Sequence, residues 1–324
     1  RRRDEVEGLA AMRQPAWDSS RRRRQRVTDI PTDTIQHYYR PGILHRRGPL
    51  HNRAPLVFDI PRSGRDYPND FRSPASFNEV KSSISMYVEE LYNQAPEHSA
   101  YWLFACFPNA YIDANRHERD IDFKLIDGEL EEPFEPTEKS KLGVGLIHRV
   151  CDLTGAPLQQ EPLSVADLRR RLDQFYWPYH HELAAIIRDM RNWAGVAYHV
   201  SCHSMASVAR PISRDAGQPR SDFDIGDGHG RTCDRAFVDT VMNVLSSFGY
   251  EVTYNKYFAG AECIHKHSDP ASGVQSLQIE TRRGLYMNET TYEKGPDFET
   301  VRGHLGQLAA QLADYARQNT QGKS

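Results

Sequence analysis

The sequence predicts an α/β domain in three layers, with a mostly parallel or mixed sheet flanked by helices. Two observations carry that expectation. From Pro55 onward, short apolar runs rich in β-branched and aromatic residues alternate with longer stretches whose apolar residues recur at helical spacing. Most of these runs also hand over to a polar, turn-forming cluster, as strands do where their carboxyl ends open a ligand cleft. At 324 residues, 39% hydrophobic and 26% charged, the chain can bury a sizeable core.

Taken in order, the strand-like runs are PLVFDI (55–60), YWLFACF (101–107), VAYHVSC (196–202), YEVTYN (250–255) and SLQIE (276–280). Between them, Ser164 with Asp167 forms an N-cap arrangement. Leu168, Leu172, Phe175, Tyr179, Leu183, Ile186 and Met190 then follow as a helical stripe, with Pro178 as a kink or break. Asp234 opens a second helix through Phe237, Val238, Val241, Val244, Leu245 and Phe248, and Gly249 stands where a C-terminal cap belongs. A third runs through Val301, Leu305, Leu308 and Leu312. Residues 1–50 read as a basic, disordered arm, 51–318 as the α/β domain and 319–324 as a polar tail.

Composition excludes several classes. No run approaches the roughly 18 apolar residues of a membrane span, and no apolar core follows the basic start, so the cytoplasm is the expected compartment. Five cysteines without regular spacing argue against a disulfide framework and a four-cysteine zinc module. A net charge of −3 gives no overall reason to expect a polyanionic partner. Arg21 to Arg24 read as a solvated arm, with nucleic-acid contact as the weaker alternative. Asp4, Glu5 and Glu7 argue against a transit peptide, and the absence of an initiating Met leaves a fragment or processed start open.

Chemistry-bearing residues gather at the strand ends: PRSGRDYP, DANR, CHSM and QIETRRGLY. Gln278 and Glu280 share one strand face, with Arg282 and Arg283 close behind, so a carboxylate and a guanidinium meet at one cleft or form a buried ion pair. His203 alone defines no metal site. Cys202 points to the opposite face from His203. Of the adjacent His180 and His181, one faces the core and the other solvent, in a packing role or as support for a site residue.

In this order the blocks PRSGRDYP (61–68), YIDANR (111–116), PTEKSKLGVGLI (136–147), FYWPYHHEL (175–183), CHSM (202–205), GDGHGRTCD (226–234) and LQIETRRGLYMNE (277–289) resemble the N-formylglutamate amidohydrolase family. The resemblance implies a fold akin to the zinc exopeptidases and a zinc-activated water that cleaves the amide of an N-formyl or N-acyl amino acid. It implies His203 as a zinc ligand, Glu280 as general base, Arg116 and Arg283 as clamps on a carboxylate substrate, and Asn115 and Gln278 as supporting contacts. Departures from the family pattern are specific. Arg62 stands where the family has its first ligand, a histidine, and a guanidinium has no lone pair for a metal. Ser83 and Ser85 stand where an acid is expected, which leaves Glu89 as the metal-ligand candidate by position. Ser201 and Ala259 replace a frequent Asp and Lys. Two readings stay open. Either zinc is held by His203 with a carboxylate such as Asp59, Asp66 or Glu89 while Arg62 turns outward, or the metal is gone and Arg62 occupies its place, giving an inactive homologue that binds a small carboxylate.

Overall fold

The computed structural model describes residues 34–128 and 133–320. The basic run Arg21 to Arg24 and the tail residues 321–324 lie outside the described residues. The strands are β1 (Ile35–Arg40), β2 (Leu44–Pro49), β3 (Leu56–Ile60), β4 (Tyr101–Ala105), β5 (Ile126–Asp127), β6 (Leu163–Ser164), β7 (Ala197–Met205), β8 (Phe223–Gly226), β9 (Val252–Tyr254) and β10 (Val274–Arg282). The helices are α1 (Phe77–Ser82), α2 (Val88–Leu91), α3 (Glu138–Lys141), α4 (Val165–Arg171), α5 (Trp177–Ala194), α6 (Arg235–Ser247), α7 (Glu262–His267) and α8 (Phe298–Gln318).

Eight strands form one mixed sheet in the order β1-β2-β4-β3-β7-β10-β8-β9, and β5 and β6 make a small separate ladder. The central four, β4-β3-β7-β10, run parallel; β2 and β8 join them antiparallel. The α/β expectation is therefore met, with the sheet mixed. Residues 34–50 are an exception to the expected arm, because β1 is the edge strand of this sheet and β2 the strand next to it. Their arginines are engaged with the domain: Arg46 pairs with Glu182 at 2.6 Å and the Arg47 guanidinium lies over the Trp102 ring. Long basic side chains cover apolar surface while keeping their heads polar.

Period-two alternation splits the sheet into two chemically different faces. Leu56, Phe58 and Ile60 of β3, Val200 and Cys202 of β7, and Leu277 and Ile279 of β10 belong to one apolar core with α2, α6 and α8. There Val301, Leu305, Leu308 and Leu312 of α8 are buried, each contributing about 1.5–3 kcal/mol. The other face is apolar under α4 and α5, with Val57, Leu103, Ala197 and Leu183. On that face the alternation then places Asp59, His199, Ser201, His203, Ser276, Gln278 and Glu280 toward the carboxyl ends of β3, β7 and β10, all buried. These residues lie in cross-strand rows: Ser201 pairs with Asp59 and Gln278, and Glu280 with His203 and Asp224.

The long helical stripe forms as its spacing predicts, capped by the Ser164 side chain accepting from the Asp167 N–H. It is broken where Pro178 requires. That residue has no N–H to give the preceding turn, so Leu172–Tyr176 widens into a π segment before α5 begins. Gly249, at φ +89°, lies just past α6 as expected.

Candidate active site

A cleft of about 300 Å³ opens at the carboxyl ends of β7 and β10. Its lining includes six residues singled out from sequence: Arg62, Asn115, Arg116, Gln278, Glu280 and Arg283. Ser83 and Ser85 line it too, as do Lys139, His148, Arg210 and Arg220. Cations outnumber carboxylates among these residues, and Asp152 is the other acid beside Glu280. A small polyanion would be attracted here.

Arg62 sits on the loop after β3. Gly64 is required in that loop because a Cβ there would collide with the backbone of Cys106 and Phe107. Arg62 Nη2 lies 3.3 Å from Asp113 Oδ2, and His148 Nε2 lies 3.0 Å from the same oxygen. Asp113 Oδ1 accepts from the Asn115 N–H at 3.0 Å. Burial alone would raise the Asp113 carboxyl, but Arg62 and His148 more than offset that and hold it well below the usual range. Burial pushes His148 down, so a neutral imidazole donates through Nε2 to a charged carboxylate.

Glu280 is 7% exposed, and Gln278 Nε2 approaches its Oε1 at 3.5 Å. Burial pushes its carboxyl up to about 7, opposed by the Arg62 cation and reinforced by Asp224. Arg283 is fixed by donating to the Ser82 carbonyl at 2.7 Å and to Ser204 Oγ at 3.1 Å. Arg116 donates to the carbonyls of Val144 and Asn115 at 3.0 and 3.2 Å. Each guanidinium has more donors than these bonds use, so both can still clamp a carboxylate.

His203 is sealed, 1% exposed, and is not a lining residue. The Cys263 N–H donates to Asn115 Oδ1, which fixes that amide and sends Asn115 Nδ2 toward His203 Nε2 at 3.3 Å. Ser201 Oγ approaches the same nitrogen at 2.9 Å, while Nδ1 has no partner. Burial lowers His203 to about 4. Glu89 is not brought to the cleft: its carboxylate accepts from Ser63 Oγ and pairs with Arg65. Asp59 is held by His199 at 2.7 Å and Tyr179 at 2.9 Å.

The donors at the cleft do not fit zinc. His203 has one ring nitrogen free, Arg62 and serine hydroxyls hold the neighbouring positions, and the other donors of the cleft, His148, Asp152 and Glu280, do not gather with His203 into a trio of ligand atoms, whereas a protein zinc site takes three or four ligands. Arg62 is not turned outward, since it lines the cleft and pairs with Asp113. Among the described residues, one trio has donor atoms within 4.8 Å of one another and could hold a metal: His117, Glu118 and Glu262. Lys266 already bridges it, at 2.8 Å from Glu118 and 2.9 Å from Glu262.

The sequence model of N-formylglutamate amidohydrolase matches residues 54–287. The chain belongs to the N-formylglutamate amidohydrolase family. An N-formylglutamate deformylase of Pseudomonas putida is 26% identical over 246 residues, 74% of this chain and 84% of that protein. The crystal structure of N-formylglutamate amidohydrolase from Ralstonia eutropha JMP134 superposes with a TM-score of 0.81 at 33% identity, covering 86% of this chain and all of that one. A gene product of Agrobacterium tumefaciens shares the fold, with a TM-score of 0.59 at 16% identity over 81% of this chain and 92% of that one.

Four site features were not singled out from sequence. Asp113 lay inside the quoted block YIDANR, two residues before Asn115, and that proximity was its only signal. His148 falls one residue past another block. Asp224 accepts from the N–H groups of Tyr257 and Phe258 at 2.8 and 2.9 Å, which shapes one cleft wall, and its run FDIG is too short to read. The buried pair of His180 Nδ1 and His267 Nε2, 2.9 Å apart, anchors α5 to α7. His181 is exposed, as the two-sided reading of that dipeptide requires.

Proposed function

We propose that this family member hydrolyses the amide of an N-formyl or N-acyl amino acid bearing carboxylate charge. The observation that carries the reading is Glu280, a nearly buried carboxylate titrating near 7 in a cleft rich in guanidinium groups. A group so poised takes a proton from water and returns it at neutral pH. The water oxygen adds to the acyl carbon as its proton passes to Glu280. The developing oxyanion is stabilised by the cationic cleft. The C–N bond then breaks, and Glu280 gives its proton to the departing nitrogen, leaving a carboxylate and a free amino acid. Arg116 and Arg283 are suited to the amino acid's carboxylates, with Asn115 and Gln278 orienting the amide.

Assays on N-formylglutamate and on an N-formyl amino acid with an uncharged side chain test this. The expected result is turnover of both, with kcat/KM at least about tenfold higher for the dicarboxylate, one charge-assisted contact's worth. Equal turnover would remove the side-chain carboxylate from the reading, and turnover of neither would remove hydrolysis of these substrates. Binding without turnover is the second reading, favoured by the Arg62–Asp113 pair and Ser85 in place of metal-ligating side chains. No described helix is long and apolar enough to cross a membrane. The five cysteines, all free and buried, support a reducing compartment such as the cytoplasm.

A further inference from the structure

We infer that Arg62, braced by Asp113 and His148, supplies the fixed positive charge that the family resemblance assigns to zinc, so that this chain engages its ligand without a metal. The ligand chemistry rests on the function proposed above; the metal independence does not.

Three observations converge. Arg62 is anchored: its partner oxygen belongs to a carboxylate whose side chain is fully buried, and swinging the guanidinium away would strand that charge. Its position is central, because it lines the same cleft as Asn115, Arg116, Gln278, Glu280 and Arg283 and shares the Asp113 oxygen with His148. It also has capacity to spare. Of its five N–H donors, one nitrogen faces Asp113 and the buried Nε has no partner.

A divalent ion placed beside this fork would meet like charge from Arg62 and Arg116, the adjacent Asp113 carboxylate is already taken by Arg62 and His148, and among the described residues of the cleft Glu280 is left as the one unpaired carboxylate with a sealed imidazole nitrogen behind it. An oxygen of the ligand, either the amide carbonyl or a carboxylate, meets the opposite: preorganised N–H donors carrying a full positive charge. The exchange of a histidine for Arg62 and of an acid for Ser85 is electrostatically consistent. The metal's charge is replaced by a covalently tethered one, and with Ser85 in place of an acid no second carboxylate joins Asp113 in competing for the guanidinium.

The experiment is calorimetry on the purified full chain with two probes, zinc alone and N-formylglutamate, each repeated with chelator, together with zinc content by elemental analysis; in the N-formylglutamate arm every chain compared also carries Glu280→Gln, so that affinity is read without turnover. The natural chain is expected to carry well under one zinc per molecule and to bind N-formylglutamate with the same affinity, within about twofold, with or without chelator. Arg62→Gln, which keeps hydrogen-bonding capacity but removes the charge, is expected to weaken that binding by about 10- to 100-fold, and Arg62→Lys by less. The double variant Arg62→His, Ser85→Asp is expected to gain zinc affinity by at least about 100-fold. One zinc per natural chain, or binding abolished by chelator, would overturn the inference. So would an Arg62→Gln chain that folds, by its thermal transition, and binds as tightly as the natural one. If no form binds N-formylglutamate, the ligand reading fails by itself. The zinc titrations of the natural and double-variant chains then decide metal independence: comparable zinc affinity in the two would overturn it.

Discussion

Replacing Glu280 by Gln should stabilise the folded chain as pH rises. Burial places the Glu280 carboxyl near 7, against an ordinary value of 4.5, so the folded state holds its proton more tightly than the unfolded state does. The sign follows: folding gains nothing from this group's ionisation, and stability falls as pH climbs from about 4.5 through about 7. A shift of this size corresponds to roughly 3 kcal/mol in full, most of which develops between pH 5 and pH 8. Glutamine has nearly the same shape and carries no charge, so it removes the penalty. Urea denaturation of both chains at pH 5 and pH 8 gives the double difference, in which every other titrating group cancels to first order. The expected result is a relative gain for Glu280→Gln of about 2–3 kcal/mol at pH 8 over pH 5. A pH-independent difference between the two chains would refute the reasoning, because Glu280 would then titrate as an ordinary carboxylate. The same substitution removes the proposed base, so a more stable and less active chain is expected, the trade-off characteristic of strained catalytic groups.

Asp113→Asn leaves Arg62 and His148 without their anionic partner and is expected to cost about 3 kcal/mol in urea denaturation; a loss under about 1 kcal/mol would show that the pair is not an anchor. Gly64→Ala forces the loop carrying Arg62 away from residues 106 and 107, and a loss of about 1–3 kcal/mol with weakened ligand binding is expected. Unchanged binding in that variant would detach the loop from the site. Arg283→Ala should raise KM for N-formylglutamate by about 10- to 100-fold, with a smaller effect for Arg283→Lys; an unchanged KM would remove Arg283 from the clamp.

Much of the framework was legible because each element met one strong rule. The runs at β3, β4, β7 and β10 are apolar and bounded by turn residues, and α4, α5, α6 and α8 carry apolar stripes at helical spacing, with Ser164 capping α4 and Gly249 lying just past α6. The outer strands were not. β2 reads LHRRGP, and it is a strand through its ladders with β1 and β4, while its arginines find partners in Glu182, Trp102 and the Asn93 carbonyl, which are far off in sequence. β8 has four residues, too few for any period to show. At the site, strand alternation correctly placed Gln278 with Glu280 and turned Cys202 away from His203. The arrangement around Asp113 was illegible for a different reason. A charged residue in a turn reads as solvated, and only the fold shows that Arg62 and His148 converge on one buried oxygen. Glu89 shows the reverse error, since position along the chain suggested a ligand where Ser63 and Arg65 had already taken the carboxylate.

The most direct test of the account is the release of formate from N-formylglutamate by the purified chain between pH 5 and pH 9, in parallel with Glu280→Gln. The expected result is turnover whose kcat/KM rises to a plateau with an apparent pKa near 7 and falls by at least about 100-fold in the variant. Tight binding of N-formylglutamate with no formate released at any pH would contradict hydrolysis and leave a carboxylate-binding protein in its place.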